Sequence, residues 1–495
     1  MRILLAAVVL LSLIVTGPGV PVSSPAQGAR PNIIFVLTDD LDARSIAVMP
    51  QLKAHLADAG VTFANFFVTT ALCCPSRASI LRGQYVHNHR TYTNTPPAGG
   101  FEIFKGLGRE QSTAATWLRA AGYRTVLMGK YLNGYPERSS PTYVPPGWEE
   151  WYSPARGGYA NFTYTMNENG RLVDYGTRPE DYMTDVLART AVDVIRRSAR
   201  EGRPFFVYLA TYAPHAPATP APRHAGAFAG VTAPRSSSFN EADAADKPQW
   251  LRNRLPLPDR QIAALDAQYR TRLQSLLAVD ELIAALVDAL RASGRLDRTY
   301  IFFTSDNGYH MGEHRLPPGK NTAFDEDIRV PMLVRGPGVS AGRIVEQIGL
   351  NIDFAPTFAA IAGVGVPDFV DGRSLLSLLR SAPPAPSPWR QAFTVEHYTG
   401  GPVLPRFRGQ RRLGPQAIPE FHAIRTKDIL YVEYETGERE LYDRRRDPYE
   451  LTNVAGRVPP ALLARLAVRL AELEECVGQA CRAVEDQPLD LGALR

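Results

Sequence analysis

Cysteine is scarce, four in 495 residues, which excludes a small disulfide scaffold. Glycine and proline number 39 and 41, together far below the roughly 25–30% that marks low-complexity or collagen-like chains. No internal repeat is visible. Neither sign of charge dominates: 55 Lys and Arg against 50 Asp and Glu leave +5. That is too mild to argue for nucleic acid, and it suits an anionic small substrate. Beyond the N-terminus no apolar run reaches the ~20 residues that span a bilayer. What remains is a globular composition, 45% hydrophobic. A chain of this length buries roughly three quarters of its unfolded surface and needs no staple to fold. Its length allows about three domains, or one large domain and a smaller one.

Residues 1–28 read as a secretory signal: Arg2, an apolar run from Ile3 to Val15, then Gly, Pro and Ser, with cleavage expected between Ser23 and Gly28. The run is too short to anchor in a membrane, and no cysteine follows it to carry a lipid. An exported protein is expected, with periplasm, cell surface and lysosome all open. Export permits a local disulfide between Cys476 and Cys481. Cys73 and Cys74 are adjacent, and neighbouring cysteines bond to each other only with strain. An unpaired adjacent pair in an exported chain asks for a chemical explanation.

One pattern recurs along the chain. Asn32–Thr38 is an apolar strand ending at Asp39-Asp40; Thr125–Met128 ends at Gly129-Lys130; Phe205–Leu209 ends near Pro214-His215; Tyr300–Thr304 ends at Asp306-Asn307-Gly308. Helices lie between, one capped by Ser112 and running through Ala121, another with Leu273, Leu276, Leu277, Ile283, Leu286, Val287 and Leu290 at helical spacing before Gly294. Alternating strands and helices predict an α/β fold with a mostly parallel sheet flanked by helices. Ligands of such sheets bind beyond the C-terminal strand ends, where all these polar tips fall. Residues 30–385 read as the catalytic unit, with Ala216–Gln249 as an insertion or lid. SAPPAPSP from Ser381 to Pro388 reads as a linker. Residues 386–475 read as a smaller C-terminal α+β subdomain, with short antiparallel strands at 392–396, 422–425, 429–434 and 440–442 and a helix over Pro460–Glu475; residues 476–495 form a tail.

Asp39-Asp40 and Asp306-Asn307 offer hard oxygen ligands suited to Ca²⁺, or to Mg²⁺ with more water. Turns rich in capping acids have the same composition, and that reading stays open from the residues alone. The decisive stretch is Leu72-Cys73-Cys74-Pro75-Ser76-Arg77-Ala78-Ser79-Ile80-Leu81-Arg82-Gly83. It resembles the signature of the sulfatase family, Cys-x-Pro-Ser-Arg followed by a helix and Gly, and only Cys73 fits the register. The resemblance implies an alkaline-phosphatase-like fold and a Cys73 oxidised to formylglycine by a formylglycine-generating enzyme. The hydrated aldehyde then carries one hydroxyl that attacks sulfur and a second whose deprotonation expels sulfate.

Further elements agree with the family. Gly129-Lys130-Tyr131 resembles its Gly-Lys-aromatic element, Pro214-His215-Ala216-Pro217 its Pro-His-x-Pro element and Ser305–His310 its second metal element. Lys320 matches its leaving-group lysine, and Glu440–Asn453 resembles its C-terminal strand and turn. The resemblance therefore implies catalytic roles for Cys73, Arg77, Lys130, His215 and Lys320, and one Ca²⁺, with Mg²⁺ the second choice, on Asp39, Asp40, Cys73, Asp306 and Asn307. His310, and beside it His314, are candidates to line the substrate pocket. The motifs look most like the N-acetylglucosamine-6-sulfatase branch, so the expected substrate is a sulfated small molecule or glycan. Two departures stand out: Leu132 where many members carry histidine, leaving Asn133 without an assigned role, and Arg82 where threonine is usual. Two rival readings stay open, a phosphonate or phosphodiester hydrolase of the same superfamily and a secreted polyanion-binding protein with a dead site. Arg406, Arg408, Arg411 and Arg412 read as a solvated basic loop sooner than a polysaccharide site. Asn161-Phe162-Thr163 is a glycosylation sequon only for a eukaryotic secretory route.

Overall fold

The computed structural model describes residues 30–380, 388–400 and 417–494. The N-terminal leader, most of the SAPPAPSP stretch and the four arginines from Arg406 to Arg412 lie outside the described residues. The large sheet takes β1 (Asn32–Thr38), β2 (Val61–Phe63) and, past a two-residue strand β3 (Phe66–Phe67), β4 (Arg124–Gly129), β5 (Glu150–Arg156), β6 (Tyr164–Glu168) and β7 (Arg171–Tyr175). It continues with β8 (Phe205–Ala210), β9 (Thr299–Ser305), β10 (Leu333–Arg335) and β11 (Arg343–Val345). The strand order is β11-β2-β10-β9-β1-β8-β4-β5-β6-β7. The central five, β9-β1-β8-β4-β5, are parallel, while β6 and β7 add antiparallel at one edge and β10 at the other. A short pair, β3 with β12 (Gly349–Leu350), stands apart.

The continuous apolar character of the central strands follows from burial on both faces. Along β1, Ile33, Phe35 and Leu37 join Phe206, Tyr208, Phe302, Phe354 and Phe358 on one side. Ile34 and Val36 join Val207, Leu209, Ile301 and Phe303 on the other, against the helices Met183–Glu201 and Asp259–Ala292. The period of two thus sorts one strand between two helical layers. The helix expected from Ser112 begins one residue later: Thr113 caps Ala114–Ala120 in a capping box with Thr116, and Ser112 Oγ instead accepts from Trp117 Nε1 at 3.0 Å.

The C-terminal strands β13 (Phe393–His397), β14 (Phe421–Arg425), β15 (Ile429–Tyr434) and β16 (Arg439–Asp443) form an antiparallel sheet in sequence order. Leu462, Leu466, Leu470 and Leu473 of the helix Pro460–Glu475 cover one face. The other face shares the main core through Phe393, Val395, Phe421 and Val432. Cys476 and Cys481 are disulfide-bonded, and Cys73 and Cys74 are free and buried. No helix among the described residues is long and apolar enough to cross a membrane. Asn161 of the sequon is buried in the left-handed region, φ +61°, and its Nδ2 donates to the Thr219 carbonyl at 3.4 Å, so the folded chain withholds the acceptor nitrogen.

Candidate active site

Parallel register brings four strand ends to one level: Leu37 lies opposite both Ala210 and Thr304, and Gly129 opposite Ala210. Beyond β1, Asp40 takes a left-handed backbone, φ +63°, which Asp tolerates better than most residues. Its N–H donates to Asp306 Oδ1 at 3.1 Å, tying the β1 tip to the β9 tip. Gly129 closes β4 with φ +87°, and a Cβ there would stand 1.9 Å from the Ala210 carbonyl oxygen, so glycine alone lets β4 turn at that level. The Lys130 N–H then donates to the same carbonyl at 2.9 Å and sends the lysine side chain over the strand ends.

Cys73 opens the buried helix Cys73–Arg82 directly above these tips, after an extended Leu72. Its sulfur lies 3.4 Å from Asp39 Oδ1 and 3.8 Å from Asp40 Oδ1. Lys130 Nζ donates to Asp39 Oδ2 at 2.6 Å. Lys320 Nζ reaches Cys73 Sγ at 2.6 Å and Asn307 Oδ1 at 3.4 Å, and also contacts Asp40. One turn into the helix, Arg77 Nε donates to Asp306 Oδ2 at 2.7 Å and Nη1 to the Lys130 carbonyl at 2.8 Å, with Nη2 left unpartnered. Asn307 Nδ2 donates to Asp40 Oδ1 at 2.8 Å. His215 Nε2 sits 3.6 Å from Asp40 Oδ2, while Nδ1 lies 2.7 Å from the Ala216 carbonyl, an acceptor that requires Nδ1 to carry a proton.

Every one of these groups except His215 and Lys320 is essentially sealed from water. Burial works against ionisation of Asp39, but Lys130, His215, Arg77 and Lys320 together outweigh it and hold the carboxyl well below the ordinary range. Asp40 is likewise lowered, burial being overcome chiefly by Lys320. Asp306 goes the other way: burial and the Asp39 charge push it up despite Arg77. Burial and Asp39 also push up the Cys73 thiol. Burial opposes charge on Lys130 and Lys320 as well, but Asp39 and Asp40 respectively keep both ammonium groups charged.

Donor chemistry tests whether this place fits a cation. Ligand atoms of Asp39, Asp40, Cys73 and His215 all lie within 4.8 Å of one another, with Asp306 and Asn307 hydrogen-bonded to Asp40 on the neighbouring tip. Carboxylate and amide oxygens concentrated in a buried pocket suit a hard divalent ion. The residues fit it.

Nine of the residues singled out from the sequence therefore meet: Asp39, Asp40, Cys73, Arg77, Lys130, His215, Asp306, Asn307 and Lys320. The contacts of His310 run elsewhere. Its Nδ1 lies 2.9 Å from Asp327 Oδ1, and its backbone pairs with Gly319 at 2.9 and 3.1 Å, which steadies the segment carrying Lys320. His314 stacks on Phe324 and bonds Glu241, in a separate buried cluster. Arg82 caps carbonyls of Arg109 and Ser112 at 2.9 and 2.7 Å and stacks on Phe369, which accounts for a buried arginine at that position. Asn133 donates to the Tyr159 hydroxyl at 3.3 Å.

Two contributors were not found by sequence reasoning. Arg272, buried on the long helix Asp259–Ala292, donates to the carbonyls of Asp40 and, at 3.2 Å, Pro214, and stacks on Tyr309; it pins the β1 and β8 tips together. Tyr159, between β5 and β6, places its ring 4.7 Å from that of His215 and 5.3 Å from Lys130 Nζ, forming an aromatic wall. Neither sits in a motif.

Comparison with known proteins gives the family. A family model described as Sulfatase matches residues 31–364, and one described as N-sulphoglucosamine sulphohydrolase, C-terminal, matches residues 312–475. The N-acetylglucosamine-6-sulfatase of Homo sapiens is 37% identical over 500 residues, covering 95% of this chain and 90% of its own length. A solved structure in complex with its substrate D-glucosamine-2-N,6-O-disulfate superposes with TM-score 0.74 at 25% identity, covering 93% of this chain and 99% of the other. A phosphonate monoester hydrolase from Silicibacter pomeroyi superposes with TM-score 0.69, also at 25% identity, over 89% and 93% of the two chains.

Proposed function

The chain belongs to the sulfatase family and is a sulfate ester hydrolase, and on that premise we propose that its substrate carries a 6-O-sulfate on glucosamine, as in glycosaminoglycan fragments. Support comes from the relative named N-acetylglucosamine-6-sulfatase and from the D-glucosamine-2-N,6-O-disulfate, which carries a 6-O-sulfate, in the similar structure. The observation that carries the catalytic reading is the meeting of Cys73 with two lysines, Lys130 and Lys320, around the paired carboxylates Asp39 and Asp40 at the β1 tip.

We infer that the Cys73 thiol stands where a formylglycine side chain acts, made by a formylglycine-generating enzyme during export. Asp39, Asp40, Asp306 and Asn307 would hold one divalent ion, Ca²⁺ by donor type. Once hydrated, the aldehyde supplies an oxygen nucleophile, and the ion supplies positive charge that makes ionisation of a hydroxyl easier. The chain's own residues do the rest. Arg77, lying between Asp306 and the Lys130 carbonyl, orients the first turn of the Cys73 helix, whose N-terminal N–H groups favour an anion. Lys130 presents a fixed positive charge toward the sulfate oxygens. Lys320 holds a proton at Nζ beside position 73 and delivers it to the bridging ester oxygen as the alcohol departs. His215, its Nδ1 proton engaged by the Ala216 carbonyl, keeps Nε2 for proton exchange over Asp40. Preorganised charges of this kind, enclosed from water, supply most of the rate.

A second reading, phosphonate monoester hydrolysis, is favoured by the similar hydrolase fold. Sulfate release from N-acetylglucosamine 6-sulfate, other sulfated sugars and p-nitrophenyl sulfate, measured beside p-nitrophenyl phenylphosphonate, decides. The proposal expects kcat/KM highest on the 6-sulfated sugar; a large preference for phosphorus esters, or for a sugar sulfated elsewhere, would overturn it.

A further inference from the structure

A second cluster of ligating side chains lies away from the strand ends, where three segments meet. His314 comes from the loop after β9, Glu326 from the turn following Lys320, and Glu450 from the loop after β16. His314 is 1% exposed, stacked 3.9 Å from the Phe324 ring. Its Nδ1 lies 2.8 Å from Glu241 Oε2, while buried Nε2 has no hydrogen-bond partner. A ring nitrogen of His314 and carboxylate oxygens of Glu326 and Glu450 all fall within 4.8 Å of one another.

A buried imidazole nitrogen without a partner costs free energy unless something fills its lone pair. Two acids lie close to the ring, Glu326 and Glu450. Glu326 accepts from another side chain only through a long 3.3 Å contact from Ser238 Oγ. Glu450 accepts from Arg444 at 2.5 Å and from the Asp325 N–H at 3.2 Å, which leaves lone pairs on both oxygens. Burial pushes the carboxyl of Glu326 well up, with Glu313 and Glu450 adding to it, and burial raises Glu450 as well. Burial and Lys247 hold His314 well down, so it is the neutral imidazole. One metal ion could meet a ring nitrogen of His314 and the two carboxylates together.

The surroundings match a metal's outer shell. A ligating histidine donates its second N–H to a carboxylate, and ligating carboxylates are themselves hydrogen-bonded; Glu241 does the first for His314 and Arg444 the second for Glu450. One nitrogen with two carboxylates disfavours Ca²⁺ and Mg²⁺, which take oxygen, and suits an ion of the zinc type. A cavity of about 120 Å³, lined by Glu326 with Glu313, Arg329 and Arg444, borders the cluster on the Glu326 side.

We propose that His314, Glu326 and Glu450 bind one Zn²⁺-type ion, separate from the ion of the Asp39–Asp40 tips. That ion clamps the segment carrying Lys320 to the C-terminal sheet's trailing loop and, through Glu241, to the 216–249 insertion. The proposal does not depend on which ester the enzyme cleaves.

The full chain, stripped by chelation and then held in excess Ca²⁺ to fill the strand-end oxygens, is titrated calorimetrically with Zn²⁺. The expected result is one Zn²⁺ per chain in the wild type and in Cys73→Ala, binding weakened at least tenfold in Glu326→Gln and in His314→Gln, and a Zn²⁺-dependent rise in melting temperature absent from Glu326→Gln. Retained Ca²⁺-dependent sulfatase activity shows that Glu326→Gln, nearly isosteric, is folded. Sub-stoichiometric binding in the wild type, binding unchanged in Glu326→Gln, or binding lost in Cys73→Ala would each overturn the proposal; the first two would leave a shared proton as the link, the last would place the Zn²⁺ at the catalytic site.

Discussion

Replacing Lys320 by methionine removes one ammonium group and little volume, and its effect should depend on the leaving group. Nζ lies 2.6 Å from Cys73 Sγ and also contacts Asp40, so it borders the bond that breaks. A sugar alcohol is a poor leaving group and needs a proton as the S–O bond opens; p-nitrophenolate is a stable anion and needs almost none. A positioned proton donor contributes typically 10²–10⁴-fold, or about 2.7–5.4 kcal/mol at 1.36 kcal/mol per decade. Lys320→Met should therefore lose roughly that factor in kcat on a 6-sulfated glucosamine. On p-nitrophenyl sulfate the loss should be about tenfold or less, reflecting only the missing charge. The assay is steady-state sulfate release on both esters by wild type and variant, with melting curves to show an intact fold. Equal losses on the two esters would refute the proton-donor role and leave Lys320 as a purely electrostatic group.

Other perturbations follow from contacts outside the motifs. Arg272→Met strips two buried carbonyls, those of Asp40 and Pro214, of their donor; at about 1–3 kcal/mol for each unsatisfied group, stability should fall by about 2–6 kcal/mol. Arg272→Lys should restore part of the stability while kcat and the affinity for Ca²⁺ stay depressed, since one ammonium cannot bridge both strand tips. Removing divalent ions with EGTA should abolish turnover reversibly, with Ca²⁺ restoring it; unchanged activity after exhaustive chelation would contradict the ion's role. His87 gives a pH signature remote from catalysis. Its two ring nitrogens face acceptors, Glu396 Oε1 at 2.8 Å and the Cys476 carbonyl at 3.0 Å. Burial opposes its charge, but Glu396 raises it to about 9, while Glu396, buried yet paired with His87, drops to about 2. The raised histidine stabilises fully below its unfolded value of about 6.5 and loses that contribution as pH climbs through about 9. Denaturant melts should show the wild type losing about 2–3 kcal/mol more than His87→Gln between pH 6.5 and 9.5; parallel profiles would show that His87 does not titrate there.

Much of the catalytic site was legible in the sequence because its parts sit where simple rules place them. β1, β4, β8 and β9 are buried throughout and apolar in their middles because both faces are covered, and each ends where polarity begins, so Asp39, Lys130, His215 and Asp306 mark one end of the sheet. Cys73, Arg77 and the following glycine carried a signature dense enough to be read without the fold. The rest was hidden for physical reasons. Arg272 stands 232 residues from Asp40 on a helix whose apolar stripe explains the neighbouring leucines and says nothing of one buried arginine. Tyr159 lies in the connection between β5 and β6, outside both strands and outside any motif, so no strand pattern points to it. β10 and β11 span three residues each, too short for any period to show. His310 reads equally well as a pocket residue or a brace, and its bond to Asp327 appears only when the loop is closed.

The whole account turns on what stands at position 73 in working enzyme. Tryptic peptide mass spectrometry of the fully active protein, with the modified fraction set against turnover in partly matured preparations, tests it most directly. Specific activity should rise in proportion to the fraction of residue 73 present as the aldehyde and extrapolate to zero for the thiol; full sulfate release by protein whose Cys73 is entirely unmodified would contradict the account.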